Sequence, residues 1–235
     1  MTELLFLSDS YAKQFEAKVV KVDGRSVVLD KTLFYPQGGG QPSDTGVLVC
    51  QGKEYTVVHV SKKDGEVVHE VDKEGMQAGE TVTGMLDWAK RHRYMRGHTA
   101  CHLLSYVVNK ETGALITGNQ IAEDKCRVDF DLDNFDREQI KAFEEKTNEL
   151  IRSGAQVTTK LMPRDEAFKI PSVLKLKNVL PPSVDEIRIV DVEGLDVQAC
   201  GGTHVKDLSE IGRIEVTKAE NKGKSNRRVY FVLKD

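Results

Sequence analysis

Two pairs of residues constrain this chain more than any other feature. His98 and His102 stand in RGHTACHLL, and Cys200 and His204 stand in ACGGTHV. Imidazole nitrogens and a thiolate are the ligands zinc prefers, and four of them complete a tetrahedral set. On a helix, residues i and i+4 project from one face, so both rings of the first pair reach one ion. The second pair comes far downstream, so one ion would tie two distant segments together. The alternative is plainer: two helix histidines, partly buried, and an inert core thiol, since free cysteine is among the most buried residue types. Three of the six histidines fall in these two short segments, which favours the metal. By ligand count alone the zinc reads as structural, because catalytic zinc generally keeps one position open. Thr99 stands where HExxH carries its general-base glutamate, so a zincin-type protease is not expected.

The rest of the composition sets bounds. A chain of 235 residues makes one large domain or two small ones. Hydrophobic content of 39% and charged content of 30% describe an ordinary soluble globular protein. No apolar run is long enough to span a bilayer, so no membrane partner is expected. MTELLFLSDSYAKQFEAKV lacks the basic n-region of a signal peptide. A cytoplasmic location with free thiols follows as the expectation. Cys50, Cys101 and Cys126 then read as core residues. The net charge of −3 gives no global basic field. Local basic clusters do occur, at Lys90, Arg91, Arg93 and Arg96, at Lys169, Lys175 and Lys177, and at Lys218, Lys222, Lys224, Arg227 and Arg228. Each reads as a solvated charged surface, and together they form a basic face only if folding joins them.

Residues from about 15 to 86 read as short strands. AKVVKV and SVVLD flank Asp23-Gly24, GVLVC and EYTVVHV flank Gln51-Gly52, and EVVHEV follows Asp64-Gly65. Regular turn signals between β-branched runs indicate a small barrel or sandwich. Residues 33 to 46, LFYPQGGGQPSDTG, read as a loop, since Gly38 to Gly40 between two prolines continue neither helix nor strand. The loop lacks the following helix that a phosphate cradle needs. The character changes at Asp87, a helix N-cap. A helix runs from there to Gly113 with Leu103, Leu104, Val107 and Val108 on one face, and Gly97 is expected to break it. A second helix, from about Arg137 to Arg152, starts with a capping box at Asp136 and Gln139 and ends at Gly154. A Pro-punctuated stretch from Pro163 to Pro182 follows, then strands carrying the second ligand pair, then a C-terminal hairpin. The organisation expected is a β domain over 1–86 and a ligand-bearing α+β domain over 87–235.

Three blocks look like a known family. FYPQGGGQPSDTG, DWAKRHRYMRGHTACHLL and DVQACGGTHV resemble, in order, blocks of the alanyl-tRNA synthetase editing region. In length the chain is closest to the free-standing AlaX trans-editing proteins of the medium type. Threonyl-tRNA synthetases carry a related domain, but PQGGGQP points to the alanyl branch. The resemblance implies an α+β fold: a small N-terminal β-barrel followed by a zinc-containing editing domain of the threonyl/alanyl-tRNA synthetase second-additional-domain type. It implies Zn2+ on His98, His102, Cys200 and His204, in a catalytic or substrate-positioning role. It implies hydrolysis of the ester in tRNA(Ala) mischarged with serine or glycine. LITGNQIAEDK falls where the family has its pocket strand, making Thr117 the candidate reader of the serine hydroxyl and Gln120 a weaker one. A plainer reading of Thr117 is a turn residue before Gly118-Asn119. Gly201 and Gly202 either let backbone N–H groups approach the ester or merely allow the tight turn of chelation.

The chain has no GxxxxGK[ST] loop and too little length for an adenylate-forming domain as well. No nucleotide cofactor is expected, and the protein would act in trans on charged tRNA. Two other readings compete. One is a non-catalytic RNA- or synthetase-binding module with a structural zinc. The other is a zinc hydrolase of small esters or amides, against which the missing HExxH glutamate and the tRNA-type blocks both argue.

Overall fold

A computed structural model describes residues 2–170, 173, 185–223 and 225–235. Lys175, Lys177, Lys224, Pro171 and Pro182 therefore lie outside the described residues. The chain divides into two compact units, Met1–Tyr94 and Met95–Asp235.

In the first unit a short parallel pair, β1 (Glu3–Leu4) with β4 (Lys31–Thr32), accompanies a closed six-stranded barrel. The barrel strands are β2 (Gln14–Asp23), β3 (Ser26–Leu29), β5 (Gly46–Cys50), β6 (Lys53–Lys63), β7 (Glu66–Val71) and β8 (Thr81–Leu86). They close in the order β2-β3-β7-β6-β5-β8, every neighbouring pair antiparallel. Closure removes the unpaired edges that an open sheet exposes. Alternation along β2 sends Phe15, Ala17 and Val19 inward to meet Val27, Leu29, Phe34, Leu48, Val57 and Val82. The β5–β6 and β6–β7 hairpins turn at Gln51-Gly52 and Asp64-Gly65, where all four residues have positive φ. That is the requirement of a two-residue primed turn, and it explains why those dipeptides stand there.

The loop from residue 33 to 45 has its own internal order. Gly38 and Gln41 exchange backbone hydrogen bonds of 3.1 and 2.9 Å, with Gly39 and Gly40 in the left-handed region between them. Tyr35 donates its hydroxyl to the Gly38 carbonyl at 3.0 Å.

α1 (Trp88–Thr112) begins as the sequence implies, with Asp87 Oδ1 accepting from the Lys90 amide at 3.2 Å, and it stops at Gly113. Gly97, however, does not break it. The helix runs straight through, and a Cβ at Gly97 would lie 2.9 Å from Cys126 Sγ and 3.1 Å from Ile121 Cγ2. The glycine is there for close approach of the helix to a sheet, a need that local sequence does not express.

That sheet belongs to the second unit. β9 (Ile116–Ile121) and β10 (Cys126–Phe130) pair with β14 (Arg213–Asn221) and β15 (Arg227–Lys234) in the antiparallel order β14-β15-β10-β9. A second sheet, β11 (Val157–Pro163), β12 (Glu186–Val192) and β13 (Asp196–Ala199), is antiparallel as well. α2 (Arg137–Arg152) carries the expected capping box, and α3 (Arg164–Ala167) is a single turn. The two edges of the four-stranded sheet are treated differently. At β14, side chains of α2 satisfy the edge: Asn148 exchanges hydrogen bonds of 2.9 and 2.8 Å with the Ile214 backbone, and Glu144 accepts from the Val216 amide at 2.8 Å. At β9 the ladder carries a bulge. Gly118 opposes Asp129 and Ile116 opposes Phe130, leaving Thr117 as the extra residue.

Candidate metal centre

His98 and His102 sit one turn apart on α1, immediately after the close approach at Gly97. Cys200 and His204 sit in the loop that leaves β13. The fold joins the two pairs: their four ligand atoms lie within 4.8 Å of one another. Both α1 histidines and His204 are buried, and Cys200 is partly so. Ring centroids are 5.2 Å apart for His98 and His102, 4.3 Å for His98 and His204, and 4.7 Å for His102 and His204. Cys200 Sγ lies 3.6 Å from His98 Nε2 and 3.3 Å from His204 Nε2.

Those separations suit a tetrahedral zinc. With Zn–S near 2.3 Å and Zn–N near 2.05 Å, a tetrahedral S···N edge is about 3.5 Å. The protonation chemistry suits it too. Burial opposes an ionised Cys200, but the adjacent His98 ring and the other two imidazoles outweigh it and hold the thiol well below its ordinary range. Burial, reinforced by the neighbouring His98 ring, pushes His204 well below its ordinary value. A thiolate and a neutral imidazole are the forms a metal binds.

The loop is held from behind. The Cys200 amide donates to the Arg188 carbonyl at 3.0 Å, extending the β12–β13 ladder to the ligand itself. Arg188, 7% exposed, donates Nη1 to the carbonyls of Cys200 at 2.9 Å and Gly202 at 2.7 Å. The Gly202 amide points back at Cys200 Sγ, at 3.4 Å. It supports the sulfur and is not turned toward a substrate. Gly201 is exposed, and a Cβ there would meet nothing within 4 Å, which leaves open space beside the cluster. Thr99 is fully buried and bonds to His204 Nδ1 at 3.1 Å. Arg188 escaped the sequence reading and Thr99 was read only for the zincin glutamate it replaces, because the partners of both lie at distant positions.

The other two candidates, Thr117 and Gln120, both lie on β9. Thr117 is not a turn residue: it is the exposed bulge residue of the edge strand β9. Bulges re-aim side chains and concentrate beside active sites. Gln120, also exposed on β9, accepts from Arg127 Nε at 2.9 Å. The basic clusters are largely neutralised. Arg91 is buried on Asp44, Arg96 binds the Ile211 carbonyl and Asp235, Lys218 and Lys222 share Glu220, and Arg228 grips Asp129 with two bonds of 2.7 Å. The solvated basic surface expected at Arg91 is thus corrected to a buried ion pair. Cys50, Cys101 and Cys126 are buried free thiols. No helix among the described residues is long and apolar enough to cross a membrane.

Comparison with known proteins gives a consistent relationship. A family profile described as tRNA synthetases class II (A) matches residues 3–90, and one described as threonyl and alanyl tRNA synthetase second additional domain matches residues 187–230. The chain is 48% identical to the alanyl-tRNA editing protein AlaX-M of Methanosarcina barkeri, over 100% of both chains. It is 42% identical to AlaX-M of Saccharolobus solfataricus, again over 100% of both. Similarity extends to the alanine–tRNA ligase of Methanothrix thermoacetophila, at 38% identity over 98% of this chain and 25% of that longer protein.

Proposed function

Because the chain belongs to the AlaX-M family of alanyl-tRNA editing proteins, we propose that it hydrolyses the ester of mischarged tRNA(Ala), chiefly that bearing serine and secondarily that bearing glycine, at a Zn2+ held by His98, His102, Cys200 and His204. The observation that carries this reading is the convergence of four ligand atoms, from two distant segments, within 4.8 Å.

Selection explains the need for such an enzyme. A pocket shaped for alanine rejects an added hydroxyl or a missing methyl by only roughly ten- to two-hundred-fold, and a second hydrolytic sieve supplies the rest. A sieve that hydrogen-bonds the serine hydroxyl spares alanine, because alanine would leave buried polar groups unpaired. Thr117 on the β9 bulge is the proposed reader of that hydroxyl. Gln120, already engaged by Arg127, is the weaker candidate.

When bound, zinc supplies polarisation and orientation of the ester carbonyl. The chain's own residues do the remainder. Arg188 fixes the carbonyls of Cys200 and Gly202, and so sets the path of the ligand loop. The open space at Gly201 admits the aminoacylated end of the tRNA beside Cys200. Four protein ligands fill a tetrahedral shell, so the attacking water is positioned by groups other than these four. The proposed site of action is the cytoplasm, on already charged tRNA.

The test compares seryl-tRNA(Ala), glycyl-tRNA(Ala) and alanyl-tRNA(Ala) with zinc-loaded protein and with His102→Ala. The expected result is rapid loss of serine and glycine with alanine retained. In His102→Ala the loss should fall by more than the roughly ten- to hundred-fold typical of removing an outer partner of a metal ligand. Folded, zinc-loaded protein that turns over neither misacylated ester overturns this reading and favours a non-catalytic RNA- or synthetase-binding module.

A further inference from the structure

Thr99 occupies the position that a zincin gives to its catalytic glutamate, and its hydroxyl has a full set of partners. It donates to the Met95 carbonyl at 3.0 Å, four residues back on α1. It accepts from the Val205 amide at 3.3 Å. It lies 3.1 Å from His204 Nδ1. The residue is 0% exposed, so water does not replace any of these partners.

A hydroxyl has one hydrogen and two lone pairs. The hydrogen is directed at Met95 and one lone pair is taken by Val205. With the hydrogen so placed, acceptor capacity remains for His204, and Nδ1 is then the ring nitrogen that carries the hydrogen. The lone pair of His204 is then on Nε2, the nitrogen that faces Cys200 Sγ at 3.3 Å. The opposite arrangement would turn the hydroxyl hydrogen toward Nδ1, leave the Met95 carbonyl without this partner, and put an N–H on the nitrogen that faces the cluster.

We propose that Thr99 is a positioning residue that selects the Nδ1–H tautomer of His204 and so aims its Nε2 lone pair at the metal. The inference rests on the metal reading of the four-residue cluster. It gives the helix that bears His98 and His102 a third task, the orientation of a ligand on the other segment. Outer-shell partners of ligating histidines act in this way, by fixing tautomer and ring orientation.

The experiment uses Thr99→Val, which keeps the shape and removes the acceptor, and Thr99→Ser, which restores the hydroxyl. Zinc affinity is read by competition with a chromophoric chelator, with circular dichroism as the check of fold. The nitrogen resonances of His204 are read by NMR in zinc-loaded wild-type protein. The expected result is a loss of zinc affinity of roughly ten- to a hundred-fold in Thr99→Val, with most of it recovered in Thr99→Ser. The His204 spectrum should show a proton on Nδ1 and metal on Nε2. Folded Thr99→Val with wild-type zinc affinity overturns the proposal, as does metal on Nδ1 in the wild type. If Thr99→Val does not fold, the wild-type spectrum and Thr99→Ser decide. Failure of the underlying metal reading looks different: the wild-type protein itself then binds no zinc.

Discussion

Each unit buries a polar constellation, and the two are built to opposite ends. In the first, Arg91 and Asp44 are 0% and 1% exposed in their side chains. Arg91 Nε reaches both Asp44 oxygens at 3.0 Å, Nη1 reaches the Ser10 carbonyl, and Nη2 reaches the Leu33 carbonyl. Asp44 also accepts from the Tyr35 amide at 2.6 Å. Donors and acceptors here answer one another, and the glycine-rich loop is fixed at the start of α1. In the second unit His98, His102, Cys200 and His204 aim their ligand atoms at one another. Coordination chemistry is what such an arrangement can do that the ion pair cannot. Burial alone therefore does not mark a reactive site; the direction of the remaining lone pairs does.

That contrast can be broken at its closed end first. Arg91→Met should cost about 3–5 kcal/mol, because it leaves the Asp44 carboxylate buried without its partner. Urea unfolding measures the loss. Replacing Asp44 by leucine in the same chain should recover much of it, since a buried ion pair is often no better than packed apolar groups. A double variant as unstable as the single one would mean that the pair's bonds to the loop backbone carry the stability.

A lone buried histidine sharpens the comparison. His69, inside the barrel, contacts Thr32 Oγ1 at 2.8 Å and the Val27 carbonyl at 3.1 Å, and burial pushes its pKa down from 6.5 to about 4. The unfolded chain therefore takes up this proton at higher pH than the folded one. Its contribution is fully present above pH 6.5 and is lost as pH falls through the folded value, amounting to about 3 kcal/mol below pH 4. Stability measured from pH 7 to 4 should fall more steeply in the wild type than in His69→Gln. Equal slopes in the two proteins would remove His69 as the cause.

Smallest is the effect of Gly97→Ala, expected to cost about 1–3 kcal/mol by forcing α1 away from Cys126 and Ile121. Zinc affinity measured on the same variant should fall as well, since His98 is the next residue. An affinity unchanged beside a lowered stability would show that the helix shifts without disturbing its ligands.

What the sequence made legible was local. Asp64-Gly65 announces a turn because the conformation it needs lies within the dipeptide, and Asp136 with Gln139 announces a helix start for the same reason. The two His and Cys pairs that converge within 4.8 Å were legible because their spacing matches a helix and a tight loop. Arg91 was misread as a surface charge because its partner, Asp44, is 47 residues away. Gly97 was misread as a break because its reason is Cys126 on another element. Thr99 was read only for the glutamate it replaces, because its bond to His204 closes a 105-residue separation.

The strand order β14-β15-β10-β9 has a consequence in time. During synthesis the barrel can be complete before α1 has emerged, because all its strands are drawn from residues 14–86. The sheet beneath α1 has no such independence. β10 pairs with β9 at once, but its other side waits for β15, with Cys126 facing Phe231 and Phe130 facing Arg227. Until those last residues arrive, the nascent chain presents an open strand edge of the kind that recruits foreign strands. The stretch between β10 and β15 also contains Cys200 and His204, so all four residues of the candidate metal centre are present before the platform that steadies His98 and His102 is finished.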